Sequence, residues 1–176
     1  ESGGGAETPP QPEREAAAMG APVAAAEGLA PEVPFPVTGC SPVGVGEAWL
    51  ARLDRSIARK DVKTILGLFA PEIVARATVQ SGGNLTTLEF NRDEMVQSTL
   101  ASIASLKDYR QRRVSLEATL ADGESEATCK RLSVRSGTIE QGLMNGKPFR
   151  FEALEEYLLE LRDGQWLAAR AHTTQR

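Results

Sequence analysis

Apolar side chains recur at helical spacing early in the chain. Between residues 47 and 60 they fall on one face of a predicted helix, because a period near 3.6 brings positions three and four apart together. These positions are Trp49, Leu50, Leu53 and Ile57. Asp61 is placed to cap a second short helix, which we expect Pro71 to end. The residues predicted to point inward from this second helix are Val62, Ile65, Leu66 and Phe69.

A third helix is predicted from Asn91 to about Leu106. Asn91 precedes Glu94 by three positions, which is the spacing of a capping box, where each side chain accepts a hydrogen bond from the other residue's backbone N–H. Apolar residues then continue at the helical period. They are Val96, Leu100 and Ile103.

Alternating apolar and polar residues predict six strands, separated by turn residues such as Gly and Asn-Gly. The predicted strands are residues 72–80, 85–90, 109–120, 125–134, 149–161 and 165–174. On the third strand the alternation turns Val114, Leu116, Ala118 and Leu120 inward. Residues 136–147 lack this alternation and contain Asn145-Gly146, so we predict an irregular excursion there. This order of helices and strands indicates an α+β fold.

The first 45 residues differ in composition from the rest. They are rich in Gly, Pro, Ala and Glu and contain few large apolar residues. Such a segment cannot bury enough apolar surface to offset the entropy lost on ordering. We therefore predict a tail over residues 1–45, disordered or ordered only by a partner, followed by one domain over residues 46–176.

Charge is also unevenly distributed. Residues 1–45 carry six glutamates and one arginine, so the formal net charge of −4 comes from this segment and the domain is nearly neutral. A nearly neutral domain lacks the basic surface of a nucleic-acid binder. Arg110, Arg112 and Arg113 are the local exception. Since neighbouring side chains of a strand alternate, we interpret them as part of a solvated strand and expect no nucleic-acid partner.

The chain contains two cysteines, Cys40 and Cys129. In an oxidising compartment they can form a disulfide, and the alternative is one buried and one exposed thiol. Neither belongs to a Cys-x-x-Cys pair, which argues against structural zinc. The first residue is not Met and Arg greatly outnumbers Lys, so we expect a processed, exported protein, periplasmic first and in an organelle interior second. No segment approaches the length of a membrane span.

In this order the segments resemble the nuclear-transport-factor-2-like superfamily, which includes SnoaL-like polyketide cyclases and ketosteroid isomerases. The resemblance implies a cone, in which a curved mixed sheet of about six strands wraps over three helices. It also implies a mouth that admits small apolar molecules and an outer sheet face that often pairs subunits. The residues that carry it are Trp49, Leu53, Ile57, Asp61, Val62, Leu66, Phe69 to Ile73, Gly146 to Pro148, and Arg162 to Trp166.

Glu155 and His172 are the candidate catalytic residues. Glu155 shares a strand face with apolar residues, a setting that raises the pKa of a carboxyl group and suits a general base. Alternatively, a bend in the strand places Glu155 at the rim or pairs it with Arg131 or Arg170. His172 is the only histidine, and a structural role competes with a catalytic one. A single histidine without nearby ligands indicates no metal site.

The remaining polar and aromatic residues complete a hypothetical pocket. Its lining would be Tyr157, Arg131, Phe151 and Trp166. The ketosteroid-isomerase pattern requires an Asp base together with Tyr and a second acid, and no Asp lies in an apolar strand. No cofactor is expected.

Two functions from different classes therefore compete. The first is a non-catalytic accessory subunit that docks onto a larger protein assembly, or onto a second copy, through its sheet face and tail; a peripheral position at a membrane complex is compatible with it. The second is a small-molecule-binding protein, or an isomerase, cyclase or dehydratase, that uses the cone. The sequence favours the first, because it predicts an interior with few ionisable groups.

Overall fold

The computed structural model describes residues 40–176, which form three helices and one six-stranded sheet. The helices are α1 (Pro42–Ala58), α2 (Val62–Gly67) and α3 (Arg92–Ala104). The strands are β1 (Phe69–Ser81), β2 (Asn84–Phe90), β3 (Lys107–Leu120), β4 (Arg131–Met144), β5 (Lys147–Arg162) and β6 (Gln165–Gln175). No helix within residues 40–176 is long and apolar enough to cross a membrane. Most of the predicted tail lies outside the described residues.

Side-chain caps define where the helices begin. The Ser41 hydroxyl accepts a hydrogen bond from the backbone of Gly44, so α1 begins at Pro42 and is longer than predicted. Asp61 caps α2 as predicted. The capping box of α3 is confirmed, with both reciprocal bonds present at 2.8 and 2.9 Å. These caps satisfy backbone N–H groups that a helix leaves unpaired at its first turn.

The predicted end of the second helix is wrong. Phe69 is not its last apolar position but the first residue of β1, and Pro71 lies within that strand. The strand tolerates proline there because the register with β6 is irregular between Phe69 and Val74, where ladder bonds are interrupted. Val62, predicted to point inward, is 45 % exposed.

The sheet has the order β2-β1-β6-β5-β4-β3. The neighbours β1 and β6 are parallel, and every other pair is antiparallel. The last strand of the chain therefore lies between the first strand and β5. The sheet is curved and does not close, and α1 and α3 pack on its concave face against β3 and β1.

The strand predicted over residues 125–134 and the excursion predicted over residues 136–147 are both wrong. A single strand, β4, covers Arg131–Met144, and residues 121–130 form the loop before it. The prediction failed because the inward residues Ser136, Thr138 and Glu140 are polar. Apolar and polar residues therefore do not alternate along this part of the strand. Cys129 consequently lies in a loop, with a φ of 40°, and not in a strand.

A bulge in β3 reverses part of the predicted alternation. The pairing with β4 shifts between Arg113 and Ser115, so two consecutive residues face outward. Val114, predicted to point inward, is 53 % exposed, whereas Leu116 and Ala118 face inward as predicted. On the other side of the bulge Arg113 turns toward the interior. The interpretation of Arg113 as a solvated side chain is therefore wrong.

The narrow end of the cone is filled by an apolar core. Trp49 packs against Phe69 and Tyr157, with ring centroids 5.6 and 4.8 Å apart. A cavity of only about 10 Å³ remains between Leu53, Phe69 and the residues around them. This end of the cone therefore has no room for a ligand.

A disulfide joins Cys40 to Cys129. It fixes the segment just before α1 to the loop between β3 and β4, with the two Cα atoms 5.8 Å apart. The alternative with two separate thiols is thus not what the structure contains.

Candidate functional site in the cone interior

The concave face of the sheet changes from apolar to polar toward its wide end. Seven inward residues of β3, β4, β5 and β6 at that end are polar, and each of the seven exposes no more than 1 % of its surface. We call them the polar band. Its members are Gln111, Ser136, Thr138, Glu140, Glu155, Thr173 and Gln175. Strand register places them side by side, since Gln111 pairs with Glu140, Ser136 with Glu155, and Glu155 with Thr173.

Arg113 connects the polar band to helix α1. Its Nε and Nη2 donate to the two carboxylate oxygens of Asp54, each at 2.7 Å. Its Nη1 donates to Oε1 of Glu155 at 2.7 Å and to the hydroxyl of Ser136 at 3.1 Å. Asp54 and Arg113 expose 14 % and 16 % of their side chains, and Glu155 exposes none. These three residues form the ionic triad.

Burial controls the protonation of the triad. Loss of solvent, with a smaller contribution from the nearby Asp54 and Glu140, raises the pKa of Glu155 to about 7 against the opposing effect of Arg113. Loss of solvent also raises the pKa of Asp54 against the same opposing effect of Arg113. Burial lowers the pKa of Arg113, but the two carboxylates together outweigh this effect and raise that pKa, so Arg113 remains a cation. Glu155 can therefore gain or lose a proton near neutral pH.

Several polar atoms of the band have no well-formed hydrogen bond to the described residues. They are Nε2 and Oε1 of Gln111, Oγ1 of Thr138 and Oε2 of Glu155. Tyr157 lies two positions beyond Glu155 on the same face, and burial together with Glu155 raises its pKa. The band thus offers both donors and acceptors in a setting shielded from solvent.

The structure separates the residues predicted from the sequence. Glu155 and Tyr157 lie inside the cone, and Phe151 and Trp166 are partly buried. Arg131 does not line the interior, because it faces outward and pairs with Glu160 at 3.5 Å. The predicted pairing of Glu155 with Arg131 or Arg170 is therefore wrong, since Arg113 is its partner.

His172 also lies outside the cone. Its Nε2 is 2.9 Å from the hydroxyl of Thr78, and its Nδ1 is 4.0 Å from Oε1 of Glu156, both on the outer face of the sheet. It lines an open outer groove of about 900 Å³ together with Arg135 and Arg170. His172 cannot act together with Glu155, because the sheet lies between them.

Sequence reasoning missed Asp54 and Arg113. Arg113 faces inward only because of the bulge in β3, and no residue pattern predicted that bulge. The inward position of Asp54 was predictable in part, because Asp54 lies one turn from Leu50 and Ile57, next to the apolar face of the helix. The expectation of an interior with few ionisable groups is wrong for this reason.

The outer face carries charged residues in one continuous row, which we call the charge row. Strand register aligns one residue from each strand across the whole sheet. In order from β2 to β3 they are Glu89, Arg76, His172, Glu156, Arg135 and Glu117. Opposite charges alternate on either side of His172, and Arg76 contacts Glu89 at 2.9 Å. Cross-strand pairs of this kind stabilise a sheet modestly and keep its face polar.

Within residues 40–176, no group of three or more His, Cys, Asp or Glu side chains is arranged to hold a metal ion. The expectation of a metal-free, cofactor-free protein stays a prediction.

Comparison with known proteins identifies the fold. No protein-family model matches the sequence, and no curated protein matches it either. Solved structures do match. The beta subunit of the benzoate 1,2-dioxygenase from Burkholderia mallei has a TM-score of 0.58 at 14% identity, covering 80% of this chain and 93% of its own. Hexachlorocyclohexane dehydrochlorinase LinA-type3 from Novosphingobium barchaimii has a TM-score of 0.55 at 10% identity, covering 73% and 82%.

A ketosteroid isomerase-like protein from Erwinia carotovora atroseptica has a TM-score of 0.52 at 18% identity, covering 76% of this chain and 95% of its own. The chain has the nuclear-transport-factor-2-like cone fold, as the sequence resemblance implied. Proteins with this fold include enzymes and subunits of larger enzymes. At these identities the similarity concerns the fold alone, and function has to be argued from the site.

Proposed function

We propose that this protein binds a small molecule in the wide end of its cone and that Glu155 exchanges a proton with it. The observation that carries the proposal is the polar band with its ionic triad, buried in an otherwise apolar interior. Burying polar and charged groups costs free energy, so a purely structural core would be expected to lack them. Groups with strongly shifted pKa values concentrate at functional sites.

The triad suits Glu155 to acid–base chemistry. A general base works best when its pKa is near the working pH, and the pKa of Glu155 is about 7. Arg113 fixes Oε1, whereas Oε2 makes no well-formed hydrogen bond to the described residues. Asp54 holds Arg113 through two bonds and so fixes its orientation. The supported reaction class is a cofactor-independent isomerisation, cyclisation or elimination that begins with proton removal.

A fragment screen observed by protein NMR tests this proposal. Neutral aromatic fragments are expected to shift backbone signals of the polar band in the wild-type chain. Glu155→Gln is expected to weaken these hits about tenfold or more, while the outer-face variant His172→Ala keeps them. Hits confined to the outer face, or hits that E155Q leaves unchanged, would refute a cone site centred on Glu155.

A second candidate, the accessory subunit expected from the sequence, is favoured by the outer face. The open groove of about 900 Å³ and the charge row form a broad polar surface on the convex side. The similar Burkholderia mallei protein is the beta subunit of a dioxygenase, so the fold also serves inside an enzyme assembly. A partner would have to complement the alternating charges.

The charge row disfavours a second copy as that partner in aligned, face-to-face pairing. A two-fold axis through the middle of the row places Arg76 over Arg135 and Glu89 over Glu117, where like charges repel. Native mass spectrometry of the full chain purified from its source tests the candidate. Co-purification of a defined partner, lost in Arg135→Glu and kept in Glu155→Gln, would favour the accessory subunit over the cone site.

We also infer that the protein works in an oxidising compartment, the periplasm before an organelle interior. Disulfides such as Cys40–Cys129 persist in such compartments and are rare in the cytosol. Thiol labelling of freshly lysed cells tests this. Both cysteines should resist labelling until a reductant is added, and immediate labelling of both would contradict the inference.

A further inference from the structure

Gln111, Thr138 and Glu155 of the polar band carry buried polar atoms that make no well-formed hydrogen bond to the described residues, and they lie on three adjacent strands. Thr138 of β4 pairs with Arg113 of β3 and with Ala153 of β5. Gln111 and Glu155 are each two positions from those partners, so they lie diagonally on either side of Thr138. Diagonal neighbours of a sheet are about 7–8 Å apart, so a ligand group beside Thr138 is within reach of the side chains on either side of it.

The missing hydrogen bonds point to a ligand. Gln111, Thr138 and Glu155 expose 1 % or less of their surface. Nε2 and Oε1 of Gln111 and Oγ1 of Thr138 nevertheless lack a hydrogen-bond partner among residues 40–176, and the Glu155 carboxylate interacts with Tyr157 without a well-formed hydrogen bond to Oε2. Buried polar atoms in proteins are almost always hydrogen-bonded. Three exceptions on two neighbouring strands are therefore unusual, and a bound group beside Thr138 accounts for them.

We propose that Gln111, Thr138 and Glu155 bind the polar head of an uncharged ligand that carries a donor and an acceptor side by side, as an amide does. The inference rests on the proposed function and specifies the ligand class for the same site. Gln111 supplies both a donor and an acceptor, the Thr138 hydroxyl supplies either, and Oε2 of Glu155 accepts an N–H or O–H.

Electrostatics exclude an anionic ligand. Arg113 is the cation of the triad, and its charge is already matched by Asp54 and Glu155 at 2.7 Å each. A carboxylate or phosphate in the band would meet the buried carboxyl groups of Asp54, Glu140 and Glu155 and no uncommitted cation of the triad. Because like charges repel strongly where solvent is absent, such a ligand is rejected.

Aromatic side chains adjoin the band and suit the apolar body of the ligand. Phe149 and Phe151 precede Glu155 on the inward face of β5 and are partly buried. Their ring centroids are 5.6 Å apart. Phe151 pairs with Glu140, which in turn pairs with Gln111, so the rings lie beside the band. An aromatic ligand with an amide head would place its ring against the two phenylalanines and its head on the polar band.

Four probes that share one ring test the ligand class on the full chain. Benzamide is neutral with a donor and an acceptor, benzoate is an anion, benzylammonium is a cation, and toluene has no polar head. Binding is measured at pH 7 by NMR titration, which also locates the site. Benzamide is expected to bind at the band at least about tenfold more tightly than each of the other three.

Isosteric variants connect this preference to the named atoms. Thr138→Val and Gln111→Met each remove hydrogen-bonding atoms at nearly constant shape, and each should weaken benzamide about tenfold while toluene is unchanged. Thr78→Val removes a hydroxyl on the outer face and should change nothing. Because Thr138→Val removes an unpartnered polar atom, it should not lower the melting temperature, so lost binding would not reflect lost folding.

The outcomes separate the two proposals. Benzoate, benzylammonium or toluene binding at the band as tightly as benzamide would overturn the ligand class while leaving a cone site in place. Benzamide binding that is insensitive to both Thr138→Val and Gln111→Met would overturn the assignment of these atoms. If none of the four probes binds in the cone, the ligand class and the proposed function both fail.

Discussion

Arg113 and Glu155 illustrate how a single buried contact can determine both stability and chemistry. Glu155 is fully buried, and its only cationic partner in the triad is Arg113, 2.7 Å away. A buried pair contributes little net stability compared with an apolar core, but removing one partner leaves an uncompensated charge. Each residue of the triad is therefore sensitive to substitution for a reason that can be measured.

Substitution of Arg113 by Met should destabilise the protein. The change leaves Asp54 and Glu155 buried without a cation, which costs about 3–5 kcal/mol of unfolding free energy. Urea unfolding at pH 7 measures it, and Arg112→Met on the exposed side of the same strand is the control, expected within about 0.5 kcal/mol. The loss should shrink at pH 5, where the unpaired carboxyl groups can protonate. Equal losses for R113M and R112M would contradict a buried triad.

Glu155→Gln should weaken the dependence of stability on pH. The folded state raises the pKa of Glu155 from 4.5 to about 7, so between these pH values it binds more protons than the unfolded chain. The unfolding free energy therefore falls as pH rises through this window, by about 3 kcal/mol at about 1.4 kcal/mol per pKa unit. In E155Q the fall should be smaller, and Asp54, whose pKa is also raised, accounts for the remainder. Urea titrations from pH 4.5 to 8 measure both slopes, and identical slopes would argue against a raised pKa.

Strand β3 shows how one extra residue can place a functional side chain. Arg113 pairs with Thr138 and Ser115 pairs with Gly137, so Val114 has no partner of its own in β4. The inserted residue lets Arg113 face inward while Leu116 and Ala118 also face inward. The bulge thus joins a polar stretch of the strand to an apolar stretch on one concave face.

Deletion of Val114 should be tolerated. Because Arg113 and Ser115 already pair with consecutive residues of β4, the deletion leaves both pairs intact and costs about 1 kcal/mol. Deletion of Ser133 is the matched control. Ser133 lies where β4 pairs in regular register with both neighbouring strands, so its loss would move the inward side chains on one side of the deletion to the outer face. Thermal unfolding distinguishes them: the Val114 deletion should unfold cooperatively and the Ser133 deletion should not. Similar behaviour of the two would mean that the bulge has another role.

The molecule as a whole combines a filled narrow end with a polar wide end. Helix α1 contributes to both, because Trp49 and Leu53 enter the apolar core while Asp54 holds the triad. The disulfide fixes the start of this helix to the loop after β3. The position of Asp54 over the sheet is therefore coupled to the covalent connectivity of the domain.

Removal of the disulfide should lower stability without changing the fold. Cys40 and Cys129 are separated by 89 positions, and closing a loop of this length stabilises by about 4.6 kcal/mol in the chain-entropy model. The double variant Cys40→Ser with Cys129→Ser should lose up to this amount in chemical unfolding. Wild-type protein in reductant should match the variant, and the variant should not respond to reductant. A variant as stable as the oxidised wild type would contradict a stabilising role.

The sequence alone determined the α+β class, the three helices and most strands, because these depend on local signals. Capping residues, helical periodicity and turn residues act within a few positions of one another, so Asn91 with Glu94 and the turns around Gly82 and Gly164 were readable directly. Glu155 was also recognisable as an acid on an apolar strand face. Where the inward face of a strand was polar, as in β4, the same signals failed.

Only the tertiary structure decided which charged residues meet. The contact of Asp54 with Arg113 joins α1 to β3 across 59 positions, and the contact of Arg113 with Glu155 joins β3 to β5 across 42. Both depend on the bulge beside Val114 and on strand register, which are fixed by packing over the whole sheet. Register also placed His172 and Arg131 on the outer face, away from Glu155. Such contacts leave no mark on the local residue pattern, because they form between segments that are distant in the chain.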